Sequence, residues 1–144
     1  MSAAGRVLGI DYGEVRIGLA LSDVMRMVAT PLETVDGKSQ KLATRRIREI
    51  LEEKKIETVV VGLPLHMNGD FGELAQAATD FGEKLKGQVP GLEIVMWDER
   101  MSSAEAERGM RLSNTKAKRK KELRDQLAAQ IILQSWLDAQ GMMI

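Results

Sequence analysis

The chain has 144 residues, 21 basic against 21 acidic, so no net field draws in a polyanion or an anionic membrane. Cysteine is absent, which excludes disulfides, zinc–thiolate centres and thiol catalysis. Two Phe, two Trp and one Tyr are too few for a base-stacking platform.

At this length one domain over residues 1–144 is expected, burying roughly 68–70% of the surface its unfolded chain exposes. Residues 6–11 and 16–22 read as two strands joined by the turn Tyr12-Gly13-Glu14-Val15, a hairpin. Met27 to Val35 is a third strand, and Pro31 within it lacks the ladder donor, which predicts an edge or a bulge. Ser39 caps a helix through about Lys55, with Leu42, Ile47, Ile50 and Leu51 along one side. The run Ile56–Gly62 is nearly continuous β-branched sequence, as in a strand buried on both faces. Pro64 ends it, and Asn68-Gly69 marks a turn.

A second helix is predicted over Phe71–Lys86 and a further buried strand over Leu92–Asp98. Ser102 or Ser103, with Glu105 as the reciprocal acid, caps a short helix. A polar, basic loop covers about Ser113–Lys121, and a last helix runs from there to about Ala139. The order β-β-β-α-β-α-β-α-α predicts an α/β domain, a mixed sheet with helices on its faces.

Three acids stand where a carboxylate is unexpected. Asp11 ends the first apolar run and precedes Tyr12-Gly13. It reads either as a turn-opening Asp bonded to its own backbone or as a ligand to an ion that Gly13 lets approach. Glu99 ends the run Leu92–Glu99, where ligands of open α/β sheets gather. A strand end entering solvent beside Arg100 is the alternative. Because successive strand residues face opposite ways, Asp98 is a secondary candidate. Asp125 shares a helix face with Ala128, Ala129, Ile132 and Trp136. It is either aimed inward or placed in a first turn that favours acids. Carboxylates gathered in this way repel one another unless cations lie between them. A pair of divalent ions that cuts phosphodiesters is the usual arrangement.

With these motifs in hand the chain resembles the YqgF/RuvX family of pre-16S rRNA nucleases, whose fold is RNase H-like. The resemblance runs through Gly9–Ala20, Val60–Leu65 with Gly69, Asp98-Glu99-Arg100 with Ser102, Ser103 and Glu105, and Asp125–Ala129 with Ile132-Leu133. It implies a three-layer fold with a mixed five-stranded sheet and helices on both faces. It also implies that Asp11, Glu99 and Asp125 bind two Mg2+ or Mn2+ ions. His66 stands where Asn is more familiar in the family, Asn68 where Asp often occurs, and Ser102-Ser103 where Thr is common. His66 reads as a solvated loop residue or a substrate contact.

Basic residues concentrate in Lys116, Lys118, Arg119, Lys120, Lys121 and Arg124. They form either a solvated charge run or, beside Asp125, a grip on a phosphate backbone. Arg16 and Arg100 are further phosphate contacts or ordinary salt-bridge partners. The expected function is metal-dependent phosphodiester hydrolysis, processing the 5′ end of pre-16S rRNA in ribosome biogenesis. The partners are structured RNA or branched DNA, with ribosome association, as a monomer or homodimer.

A Holliday junction resolvase shares the chemistry but needs paired sites on a two-fold axis. A non-catalytic RNA-processing or transcription factor keeping the fold has no need of converging carboxylates. An actin-type phosphotransferase, suggested by Asp11-Tyr12-Gly13, needs a second similar domain to close over nucleotide. No apolar run is long enough to span a bilayer. The N-terminus lacks the apolar stretch of a signal peptide, so a cytoplasmic location is expected.

Overall fold

The computed structural model describes residues 5–65, 68–102 and 118–141. His66, Ser103, Glu105 and Lys116 lie outside these, as does the short helix expected after Ser102. A mixed sheet has the order β3-β2-β1-β4-β5, made of β1 (Val7–Asp11), β2 (Arg16–Ser22), β3 (Ala29–Asp36), β4 (Thr58–Leu63) and β5 (Glu93–Asp98). β2 runs antiparallel to β1 and β3, while β1, β4 and β5 run parallel. The C-terminal ends of β1, β4 and β5 therefore lie along one rim of the sheet, which brings Asp11 and Glu99 to the same edge.

The helices α1 (Gln40–Glu53) and α2 (Glu73–Gln88) cover one face, packing on Leu8, Ile10, Leu19, Val59 and Val61. The helix α3 (Lys118–Gly141) covers the other, where Val7, Ala20, Ala29 and Val60 meet Ala128, Ala129, Ile132, Leu133 and Trp136. Even-numbered residues of β1 enter the first core and odd-numbered ones the second, the period-two alternation of a strand. Asp11 follows Val7 and Gly9 on the α3 side by that rule. No described helix is long and apolar enough to cross a membrane.

Pro31 lies in an edge strand and beside a bulge. Leu19 pairs with Glu33 and Ala20 with Pro31, so Leu32 is the extra residue. Ser39 accepts the Leu42 amide at 3.3 Å and caps α1. Leu42 itself is 59% exposed. The buried stripe is Ala43, Ile47, Ile50 and Leu51, a spacing of four, three and one that leaves Leu42 off the face. α2 begins at Glu73, leaving Phe71 outside the helix and exposed. β5 is half-buried rather than fully buried; as the outer parallel strand it has a neighbour on one side alone.

Candidate active site

α3 begins at Lys118, earlier than the basic loop expected to reach Lys121. Asp125 consequently lies about two turns into the helix, beyond the first turn where the dipole favours acids. Its place on the inward face follows from the apolar stripe it shares with Ala128, Ala129 and Ile132.

The sheet beneath α3 is shaped to receive carboxylates. Gly18 pairs directly with Asp11 across the β1–β2 ladder. On the other side of β1, Gly62 follows Val61, the partner of Ile10. A Cβ at Gly18 would lie 2.1 Å from the Asp125 carbonyl oxygen and 3.0 Å from the Asp125 Cβ. One at Gly62 would lie 3.0 Å from Glu99 Oε2 and 2.6 Å from the Ile132 side chain. The missing side chains on both neighbouring strands are thus the space into which Asp125 and Glu99 fold, on either flank of Asp11. Glycine costs a strand stability, and close approach is what it provides here.

The three carboxylates line one cleft of about 320 Å³, with Tyr12, Gly13, Arg16, Pro64 and Leu74 among the other walls. All three are buried, with exposures of 8% for Asp11, 4% for Glu99 and 9% for Asp125. Burying carboxylates together is unfavourable without positive charge among them. Arg16 supplies one such charge, its Nε donating to Asp125 Oδ2 at 2.6 Å. Tyr12 is fixed by its ring against Phe81, 4.8 Å between centroids, and by Gln40 Nε2 donating to its hydroxyl at 2.9 Å.

Glu99 is held by its backbone. It opens a single 3-10 turn, Glu99–Met101, in which the Asp98 carboxylate accepts the Arg100 amide at 2.9 Å. The Ser102 N–H and Oγ both donate to the Glu99 carbonyl at 3.0 Å. Ser135 of α3 ties this turn down, accepting from Trp97 Nε1 at 3.0 Å and donating to the Met101 carbonyl at 3.1 Å.

Asp98 is not among the cleft residues. Its carboxylate takes Arg100 in a fork, 2.8 Å from Nη2 and 3.1 Å from Nε. The guanidinium holds Asp98 below the ordinary carboxylate range. Arg100 thus forms an ion pair with Asp98. Arg124 is buried, Lys120 is exposed, and Lys121 lines a neighbouring cleft. Lys118 and Arg119 belong to the first turn of α3.

Among the described residues no group of three acids stands close enough to hold one ion. The donor set is nonetheless of hard carboxylate oxygens, the chemistry that suits Mg2+ or Mn2+ rather than softer metals. Sequence reasoning missed the contributions of Gly18 and Gly62. The available signal was a glycine inside each of two otherwise largely apolar strand sequences.

The sequence model of the RuvX family, Holliday junction resolvase, matches residues 5–139. A protein of Caldanaerobacter subterraneus named "putative pre-16S rRNA nuclease" is 44% identical over 137 residues, covering 94% of this chain and 97% of the relative. Proteins of the same name from Acetivibrio thermocellus and Lactococcus lactis are 40% and 41% identical, over 94% and 95% of this chain and 97% and 96% of their own lengths. Among solved structures, Thermus thermophilus RuvC in complex with a Holliday junction substrate aligns with a TM-score of 0.54 at 22% identity, over 95% of this chain and 96% of that one. The shared architecture is the RNase H-like α/β fold. By its match along nearly the whole sequence, the chain belongs to the RuvX family.

Proposed function

We propose that this protein is a divalent-metal-dependent nuclease that hydrolyses phosphodiester bonds and processes the 5′ end of pre-16S rRNA, in the cytoplasm and in association with the assembling ribosome. The observation that carries the reading is the convergence of Asp11, Glu99 and Asp125 on one cleft over Gly18 and Gly62. Relatives about 40% identical along almost their full length support the substrate.

Asp11, Glu99 and Asp125 would hold the ions. Bound at these three carboxylates, divalent ions would find hard oxygen donors suited to them. When bound, such ions supply Lewis-acid chemistry, making attacking water more acidic and offsetting charge on the leaving oxygen. The protein's own part is positional. Arg16 neutralises Asp125 and, at the wall of the cleft, would lie beside a substrate phosphate held there. Ser135 and Ser102 keep the Glu99 turn against α3. Closure of the sheet rim by α3 keeps the carboxylates out of bulk water, which strengthens their hold on a cation.

Junction resolution is the second reading, favoured by the family description and by the fold shared with RuvC. The two separate on cleavage of end-labelled pre-16S rRNA fragments and a four-way DNA junction with Mn2+, Mg2+ or EDTA. Metal-dependent cutting of the RNA fragments, lost in Asp11→Asn, is expected. Cutting confined to the junction transfers the protein to resolution, and no cutting by folded wild type in any metal makes it a binding factor.

A further inference from the structure

We infer that a second cleft, which shares Val15 and Arg16 with the carboxylate cleft, is a subsite for the substrate ribonucleotide flanking the scissile phosphodiester. This rests on the nuclease reading and deepens it. The cleft is lined by Val15, Arg16, Thr34, Asp36, Lys38, Lys121 and Glu122, and its volume is about 610 Å³. That volume lies within the roughly 300–1,000 Å³ of sites that hold a small molecule. Because Arg16 forms a wall of both clefts, a strand whose phosphate sits over the carboxylates passes from one cleft into the other.

The walls are fixed before any ligand arrives. Thr34 Oγ1 donates to the Glu122 carbonyl at 2.6 Å and accepts from Gln126 Nε2 at 3.1 Å, clamping the start of α3 onto β3. The Lys38 amide donates to Asp36 Oδ1 at 2.9 Å, which shapes the turn after β3. Lys38 and Lys121 thus converge from elements far apart in sequence. Among the described residues the ion pairs engage Arg16, Arg45, Arg46 and Arg100, and neither Lys38 nor Lys121 takes part. Two ammonium groups outside any described ion pair, beside the carboxylate cleft, are suited to a backbone phosphate.

Asp36 and Glu122 would repel a bare phosphate patch, so the mixed lining calls for a ligand with hydroxyl donors as well. A ribose 2′-hydroxyl donates to a carboxylate, and it is the group that distinguishes RNA from DNA. A deoxynucleotide in the same cleft lacks that sugar hydroxyl, so the carboxylates lose the donor that the ribose supplies. The cleft therefore selects RNA.

The test measures binding of a fluorescent RNA 12-mer and the DNA 12-mer of the same sequence by anisotropy, in an Asp11→Asn background that prevents cutting, between 50 and 200 mM salt. Adding Lys38→Gln and Lys121→Gln should weaken RNA binding and flatten the slope of log Kd against log salt by about 1.4, two single-strand charges. The control pair Lys54→Gln, just past the end of α1, and Lys86→Gln, in the last turn of α2, both on the opposite face of the sheet, should change neither. The Asp11→Asn protein should prefer RNA to DNA, and Glu122→Ala, which suits a helix, should narrow that preference. An unchanged slope in the lysine double variant overturns the phosphate contact, and equal binding of RNA and DNA overturns the ribose contact. Absence of any RNA binding overturns both. Whether the wild type cuts RNA with Mn2+ is scored separately, so failure of the nuclease reading is distinguished from failure of the subsite.

Discussion

Asp125 was legible because an acid on an apolar helical stripe is conspicuous, and Asp11 and Glu99 because they end apolar runs. That the three gather was expected from the resemblance; how they approach so closely was not legible, because it depends on two glycines in separate strands matching a helix and a turn far away in sequence. The same limit applies to Arg16. Its ion pair with Asp125 spans 109 positions of chain, and nothing local chooses that acid over Glu14. Local chemistry is more decisive at Asp23, which opens the turn between β2 and β3. Its carboxylate accepts the amides of Met27 at 2.7 Å and Val28 at 2.9 Å. The Val28 and then the Met27 hydrogen bond hold Asp23 below the ordinary aspartate range. A carboxyl depressed in the folded state stabilises the fold above its unfolded pKa, and that contribution disappears as pH falls through the lower folded value. Titration followed by NMR should find Asp23 ionised to lower pH than a free aspartate; an ordinary or raised midpoint would remove the turn's charge-assisted bonds.

At the scale of elements, α3 explains most of the site. Gln126, Gln130 and Gln134 repeat every fourth residue and bond β3. Gln126 reaches Thr34 Oγ1, Gln130 donates to the Ala29 carbonyl and Gln134 accepts the Ala29 amide. An edge strand is thereby covered, which guards it against pairing with another chain. Ser135 and Trp97 pin the helix at the opposite edge. The helix could be expected from its periodicity, but its start could not, since charged residues carry good helix propensity and no breaker separates loop from helix. The approach of α3 is set by Gly9 and Gly18, where a Cβ would lie 2.7 Å from Leu133 Cβ and 2.1 Å from the Asp125 carbonyl oxygen. Gly18→Ala meets backbone, which cannot rotate away, and should cost about 1–3 kcal/mol. It should also lower cleavage by more than its effect on folding, because Asp125 is displaced. Urea denaturation alongside single-turnover rates checks this, and an alanine variant as stable and active as the parent would contradict the close approach.

For the whole molecule, the mixed topology does the gathering. Parallel β1, β4 and β5 end on one rim, antiparallel β2 returns Gly18 and Arg16 to that rim, and α3 crosses above it. The element order and the α/β class followed from alternating apolar runs and helical stripes. The half-buried state of β5 did not, because an apolar run reads alike in a central strand and in an outer one packed on two helical layers. What the fold assembles is buried carboxylate charge in one cleft, with Arg16 paired to Asp125, hard oxygen donors of the kind that bind a divalent cation. The most direct measurement is a calorimetric titration of Mn2+ into the wild type and into Asp11→Asn, Glu99→Gln and Asp125→Asn, each first checked for an unchanged circular dichroism spectrum. The wild type should bind Mn2+, and each folded variant should lose at least tenfold in affinity. Undiminished Mn2+ binding by all three variants, or none by the wild type, would contradict the assignment of these carboxylates as the metal site.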